Sequence, residues 1–208
     1  MKEDMPRAKE RRIDIGRKIV SFIGPEGSGK TTIAKLLASA SNKPYIATGD
    51  LIRDLATNDQ SRYGDACRAM FSEHKYLDPN MMLEILQKRI RQSDTKEGFI
   101  LDGVLRRVEE VKGFQAMLEK ADRIFPLIIV HLRIPGWMSF ERLLTGDKAR
   151  RREDDTIEAI FGRLSNYYNQ LNQRSTFIAN QENWKFLYIK ATGSPEEVFE
   201  NLCEKLTI

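Results

Sequence analysis

Cysteine is nearly missing from this chain, with two residues, Cys67 and Cys203, in 208. They are isolated and form no CxxC pair, which excludes a disulfide scaffold and a cysteine-built zinc site and predicts reduced thiols in a cytoplasmic protein. Histidine is as scarce. His74 and His131 stand far apart and lack accompanying acids or cysteines, so core or surface packing is expected for each rather than metal ligation. No apolar run reaches membrane-spanning length, the longest being Phe125-Pro126-Leu127-Ile128-Ile129-Val130. The first 18 residues alternate Lys and Arg with Asp and Glu and have no apolar centre, so no signal peptide is expected. A large charge of one sign is absent too: 34 Lys and Arg face 30 Asp and Glu, a net charge of +4. With no basic stripe interleaved with aromatics, nucleic-acid binding is not expected. No break in composition divides the chain, which predicts one α/β domain over residues 18–208 behind a charged extension, 1–17. That extension reads as solvated or helical, and Arg7, Arg11 and Arg12 are its candidate contacts to an acidic partner.

What is present is concentrated in one stretch. Gly24-Pro25-Glu26-Gly27-Ser28-Gly29-Lys30-Thr31 fits the phosphate-loop pattern G-x-x-x-x-G-K-[ST] at every fixed position. Lys18 to Ile23 before it reads as a buried strand, and Thr32 to Ala38 after it has helical spacing. Glycines let successive N–H groups converge on phosphate oxygens, the helix N-terminus adds its positive end, and Lys30 supplies a point charge for the distal phosphates. Thr31 or Thr32 offers a hydroxyl to Mg²⁺. A ligand-free strand-to-helix turn is the bland alternative.

Further strand-like runs are Pro44 to Ala47, Gly98 to Leu101, Phe125 to Leu132 and Trp184 to Ile189. Helical spacing is plain in Met81 to Ile90, Trp137 to Leu144, Ile157 to Leu171 and Pro195 to Leu206. Such alternation predicts a central five-stranded parallel sheet with helices on both faces. Ligands of such a sheet bind beyond the carboxyl ends of the strands. There the chain carries Thr48-Gly49-Asp50-Leu51-Ile52-Arg53 and Asp102-Gly103-Val104-Leu105-Arg106-Arg107. Asp102 at a strand end suits a water-mediated hold on Mg²⁺, although it could simply cap the next segment.

Taken together, these segments resemble the adenylate kinase family of nucleoside monophosphate kinases, from about Lys18 to the C-terminus. The phosphate loop, the T-G-D-x-x-R segment at Thr48–Arg53 and a G-F-x-L-D-G-F-P-R-like segment at Gly98–Arg106 occur in the family's order. Arg142-Leu143-Leu144, Arg152-Glu153-Asp154-Asp155 and Arg163-Leu164 are similar to its lid and returning helix, and Ala191-Thr192-Gly193-Ser194 to the turn beside the ATP adenine. The resemblance implies a P-loop kinase fold with a monophosphate-binding helical insertion at about 48–77 and a short lid at about 145–155. It implies transfer of the ATP γ-phosphoryl to AMP with Mg²⁺ as cofactor, by a protein that is commonly a monomer. It implies ATP binding by Gly24, Gly27, Ser28, Gly29, Lys30, Thr31, Thr32, Arg142 and Gly193. The monophosphate falls to Thr48, Gly49, Arg53, Leu77, Gly103, Arg106, Glu110 and Arg163, and the transfer itself to Lys30, Arg106, Arg152 and Arg163. Thr31 and Asp102 are the metal pair. Arginine suits phosphate because its planar fork makes two parallel bonds and stays charged. In the lid, Lys148, Arg150, Arg151 and Arg152 repel one another, and the reading is that phosphates order them while Asp154 and Asp155 hold an arginine at the helix start.

The chain departs from the family pattern at four places. Gly146 replaces a lid arginine, His74 a glycine before Tyr76-Leu77, and Leu105 a proline, which leaves the turn carrying Arg106 less fixed in backbone angle. Glu110 stands where a glutamine meets the acceptor's adenine. An ionised carboxylate offers acceptors only and would suit guanine better, whereas Thr48 is the residue of AMP-selective members. Acceptors other than AMP, a different small-molecule kinase and a nucleotide-binding module of weak activity are the competing readings.

Overall fold

The computed structural model describes residues 11–73, 77–146 and 156–206. Its framework follows from five short, largely apolar segments, the central three of which are almost wholly buried. They form β1 (Ile19–Ile23), β2 (Tyr45–Ala47), β3 (Phe99–Asp102), β4 (Leu127–Arg133) and β5 (Trp184–Lys190), in the order β2-β3-β1-β4-β5 with every pairing parallel. A parallel sheet needs cover on both faces, and the period of two in each strand divides its side chains between them. Ile19, Ile23, Phe99, Leu101, Leu127 and Ile129 pack into one core cluster. Val20, Phe22, Ile100, Ile128 and Val130 belong to the other.

The second cluster is covered by α1 (Lys30–Ser41) and α8 (Pro195–Leu206). The first takes α2 (Thr48–Asn58), α3 (Arg62–Glu73), α4 (Pro79–Ile90), α5 (Val108–Lys120) and the far end of α7 (Ile157–Ala179). Between β4 and the lid lies the short α6 (Gly136–Phe140), which passes directly into a wide π turn, Glu141–Thr145, closed by Gly146 N–H donating to the Glu141 carbonyl at 2.7 Å. A small third cluster of Leu143, Ile160 and Leu164 ties that turn to α7.

All five expected strands form, shifted by one or two residues at their ends. Several helices extend beyond the sequence-based reading. α4 starts two residues early because Asp78 caps it, accepting from the N–H groups of Asn80 and Met81, with Pro79 at the first helical position. α7 continues to Ala179, eight residues past Leu171, since its polar stretch contains no breaker. The segment before Lys18 is not wholly solvated: Ile13 and Ile15 are buried in the second cluster, and Ile13 N–H donates to the Ala40 carbonyl. Among the described residues, no helix is long and apolar enough to cross a membrane.

Candidate functional site

Register brings the chemistry to one edge. Phe22 and Ala47 both lie level with Asp102, and Ile23 lies level with His131, so the ends of β1 to β4 open onto a common rim. Immediately after β1 the chain turns through Gly27 and Gly29 at φ 79° and 84°, and Gly29 serves as the N-cap of α1. Those angles are costly for a residue with a Cβ and ordinary for glycine. The loop thereby delivers the first N–H groups of α1, which have no partner within the helix, toward the rim.

Lys30 folds back over this loop. Its Nζ donates to the carbonyls of Gly24 and Pro25 at 2.8 Å each. Ser28 is buried beneath it, and Thr32 is exposed on the first turn of α1. Arg142, projected from the π turn, spans two parts of the same side: it donates to the Gly27 carbonyl at 3.1 Å and to the Ala191 carbonyl at 3.0 Å. Gly193 follows in the turn before α8, where Ser194 and Glu197 bond each other's backbone N–H in a reciprocal cap. Arg163 pairs with Glu26 of the phosphate loop at 3.4 Å.

Asp102 collects hydroxyls. Thr31 donates to its Oδ2 at 2.7 Å and Tyr45 donates to the same atom at 2.8 Å. Burial first, and the Asp102 charge second, push the Tyr45 phenol well above its usual range, so it remains a donor. A carboxylate and a hydroxyl meeting at the head of the phosphate helix are hard oxygen donors of the type Mg²⁺ accepts while keeping water and phosphate oxygens for its other positions. Among the described residues no cluster of three His, Cys, Asp or Glu forms.

Across the rim, Thr48 is buried and donates to the Gly103 carbonyl at 2.9 Å. Gly103 sits at φ 87°, and a Cβ there would lie 2.8 Å from both Thr48 Oγ1 and Arg106 Nη2. Arg106 is exposed at its guanidinium, with Nε donating to the Gly103 carbonyl at 2.7 Å. Arg53 lies beside Gly49 and pairs with Asp50 at 2.5 Å, both side chains being largely exposed. Leu77 points into the core instead of the rim.

Glu110 is 5 % exposed and accepts from Arg106 N–H at 2.8 Å. Burial raises its carboxyl above the ordinary range against the opposing pull of that bond and of Arg106 and Arg107. Leu105 proves different from the loosened proline position expected. Its φ of 59° is one that proline, locked near −65°, cannot adopt.

His131 packs in the core, one of the two places expected for it, whereas Arg174 escaped the sequence reading. His131 is buried at the end of β4 with Nε2 2.7 Å from the Tyr167 hydroxyl, and burial, followed by the charge of Arg133, lowers it to about 4. Arg174 is 1 % exposed and donates to the Arg106 carbonyl at 2.6 Å. The signal for it was available: Ile160, Leu164, Tyr167, Leu171, Arg174 and Ile178 recur every three to four residues, so this arginine occupies the inward stripe of α7. Arg152, the lid cations, His74 and Tyr76 lie outside the described residues.

The family model for adenylate kinase matches residues 22–181. A Mycobacterium protein named adenylate kinase is 31% identical over 187 residues, covering 90% of this chain and 98% of that protein. One from Xanthomonas oryzae pv. oryzae, also named adenylate kinase, is 32% identical over 187 residues, 89% of this chain and 97% of the other. A third, from Nostoc and named adenylate kinase 1, is 30% identical over 181 residues, with coverage of 87% and 94%.

Proposed function

We propose a division of labour among the rim residues on one premise: the chain belongs to the adenylate kinase family and transfers the γ-phosphoryl of ATP to AMP, giving two ADP. The observation that carries the assignment is the convergence of Lys30, Thr31, Asp102 and Arg106 on one sheet edge from two separate segments, the phosphate loop and the end of β3. Chemistry of this kind requires no covalent intermediate, only alignment and positive charge around the moving group.

Gly24, Gly27, Ser28 and Gly29 present the loop to the ATP phosphates, with Thr32 at the helix start. Arg142 and Gly193 border the nucleotide between the loop and the turn after β5. Lys30 leaves the Gly24 and Pro25 carbonyls for phosphate oxygens, exchanging two neutral acceptors for charged ones, which bind an ammonium more strongly. Arg163 exchanges the Glu26 carboxylate for the transferring group, one anion for another, and Arg152 joins it from the lid. Arg53 and Arg106 take the acceptor's phosphate from opposite sides, Gly49 and Gly103 leaving room beside each guanidinium. Thr48 and Glu110 stand toward the acceptor's base, above a core that includes Leu77.

Thr31 and Asp102 would hold Mg²⁺. Bound there, the ion would neutralise phosphate charge and fix the geometry of the polyphosphate. Tyr45 keeps the Asp102 carboxylate turned toward Thr31.

The test is a coupled assay of diphosphate formation from ATP and Mg²⁺ with AMP, GMP, CMP, UMP and dTMP in parallel and Lys30→Ala as blank. A dominant AMP signal is expected. A dominant GMP or pyrimidine signal would reassign the acceptor, and nucleotide binding without turnover would turn the protein into a binding module. Glu110→Gln should improve AMP use relative to GMP; an unchanged ratio removes Glu110 from base reading.

A further inference from the structure

Arg106 has an exposed side chain on a buried and unusually constrained backbone. The residue before it, Leu105, is fully buried in the left-handed region at φ 59°, a conformation that branched side chains resist. Something must hold that turn, and two buried charged side chains of opposite sign do so. Glu110, from the first turn of α5, accepts the Arg106 N–H at 2.8 Å. Arg174, from α7, donates to the Arg106 carbonyl at 2.6 Å. Two residues on, the Val108 N–H donates to Gln170 Oε1 at 3.3 Å, one helical turn before Arg174 on α7.

We propose that Arg174 and Glu110 are positioning residues for phosphoryl transfer, gripping the Arg106 backbone from both sides so that its guanidinium is aimed before the acceptor arrives. The inference rests on the reading of Arg106 as an acceptor-phosphate ligand. Its distinctive support is how poorly Arg174 serves stability. Nε and Nη2 are buried and have no hydrogen-bond partner among the described residues. Burial also depresses the guanidinium's affinity for its proton, opposed by Tyr167 and Glu110. A buried cation with two unmade donors is a poor stabilising device, and an apolar residue of like size would pack the stripe of α7 at less cost. What it supplies is a bond to one chosen carbonyl, with its Cζ 4.8 Å from the centre of the Tyr167 ring.

The experiment compares steady-state kinetics and thermal midpoints of the full chain with Arg174→Met, Arg174→Lys, Glu110→Ala and Arg106→Ala. Arg174→Met should keep or raise the midpoint while raising KM for AMP by about tenfold, the effect of a slightly misplaced ligand, with KM for ATP unchanged. Arg174→Lys, which retains a donor, should recover part of that loss. Glu110→Ala should raise KM for AMP and for GMP by the same factor, whereas loss of a base contact alone would change their ratio. If Arg106→Ala leaves KM for AMP unchanged, the underlying assignment of Arg106 fails. If Arg106→Ala raises it but Arg174→Met does not, the grip on its backbone is refuted. A fall in midpoint for Arg174→Met with no change in KM would assign the residue to stability alone.

Discussion

The two halves of the rim are built by opposite means for the phosphate group that the proposed function gives to both. On the ATP side the phosphate site is backbone: glycines at positive φ, a helix start, and a lysine that rests on the carbonyls of the loop it belongs to. On the proposed acceptor side the candidate binding groups are side chains, chiefly Arg53 and Arg106, and the backbone behind Arg106 is held by buried charges from two helices. A backbone cradle is local and carries its own geometry. A side-chain clamp is only as well aimed as the elements around it, so its precision depends on residues distant in sequence.

That contrast predicts unequal sensitivity, beginning with the cradle's one indispensable side chain. Lys30→Ala is expected to lower kcat by roughly 10³-fold while ellipticity and thermal midpoint stay near those of the parent. If turnover survived, the charge on the ATP side would be dispensable and the contrast would dissolve. Next comes the place where the acceptor side does depend on backbone. Gly103→Ala puts a Cβ 2.8 Å from Thr48 Oγ1 and Arg106 Nη2 at φ 87°, and should cut kcat/KM for AMP by about 10²-fold with ATP affinity retained. An equal loss on both substrates would show that the halves are not separable.

Two smaller effects concern groups that join or border the halves. His131 is held neutral, with its folded value near 4 against an ordinary 6.5. The unfolded chain takes up the proton first as pH falls, so the histidine's contribution to stability is whole above about 6.5 and is lost as pH drops toward 4, by at most about 1.4 kcal/mol per pH unit. The difference in unfolding free energy between the parent and His131→Gln should therefore slope across that window and flatten above it. A flat difference throughout would place the imidazole in contact with water. Glu110, by contrast, is raised by burial, so ionising it opposes folding as pH climbs past the ordinary carboxylate range. Glu110→Gln keeps an acceptor for the Arg106 N–H and should gain slightly in stability over the parent at neutral pH, with no gain at acid pH where both are uncharged.

The same division explains what the sequence disclosed. Everything on the ATP side lies within a few residues of a strand end, so Gly24 to Thr31, and Asp102 two loops later, could be read from spacing. The five strands were legible for a similar reason, each being a short apolar run between helical periods. The burial of Arg174 could be read from the stripe of α7, but its target could not, being a carbonyl 68 positions away that nothing in the local pattern names. Leu105 was misread because its departure from proline suggested looseness, whereas burial of its side chain and bonds on both sides of the next residue fix the turn in another conformation. α5 was not among the helices read from spacing, and Glu110, read there as a contact to the acceptor's base, folds back to accept the Arg106 N–H at the helix start.

α7 gives the rim a single ruler. Arg163 near its start touches the phosphate loop, Tyr167 one turn on meets the end of β4, and Arg174 grips the acceptor turn, all on a continuous helix. Eleven residues separate the first and last of these, about 16 Å of rise that hydrogen bonds keep constant. In the proposed assignment donor and acceptor phosphates would be spaced against one rigid rod instead of against each other, and an insertion or deletion of one residue between Arg163 and Arg174 would rotate the two arginines about 100° out of phase.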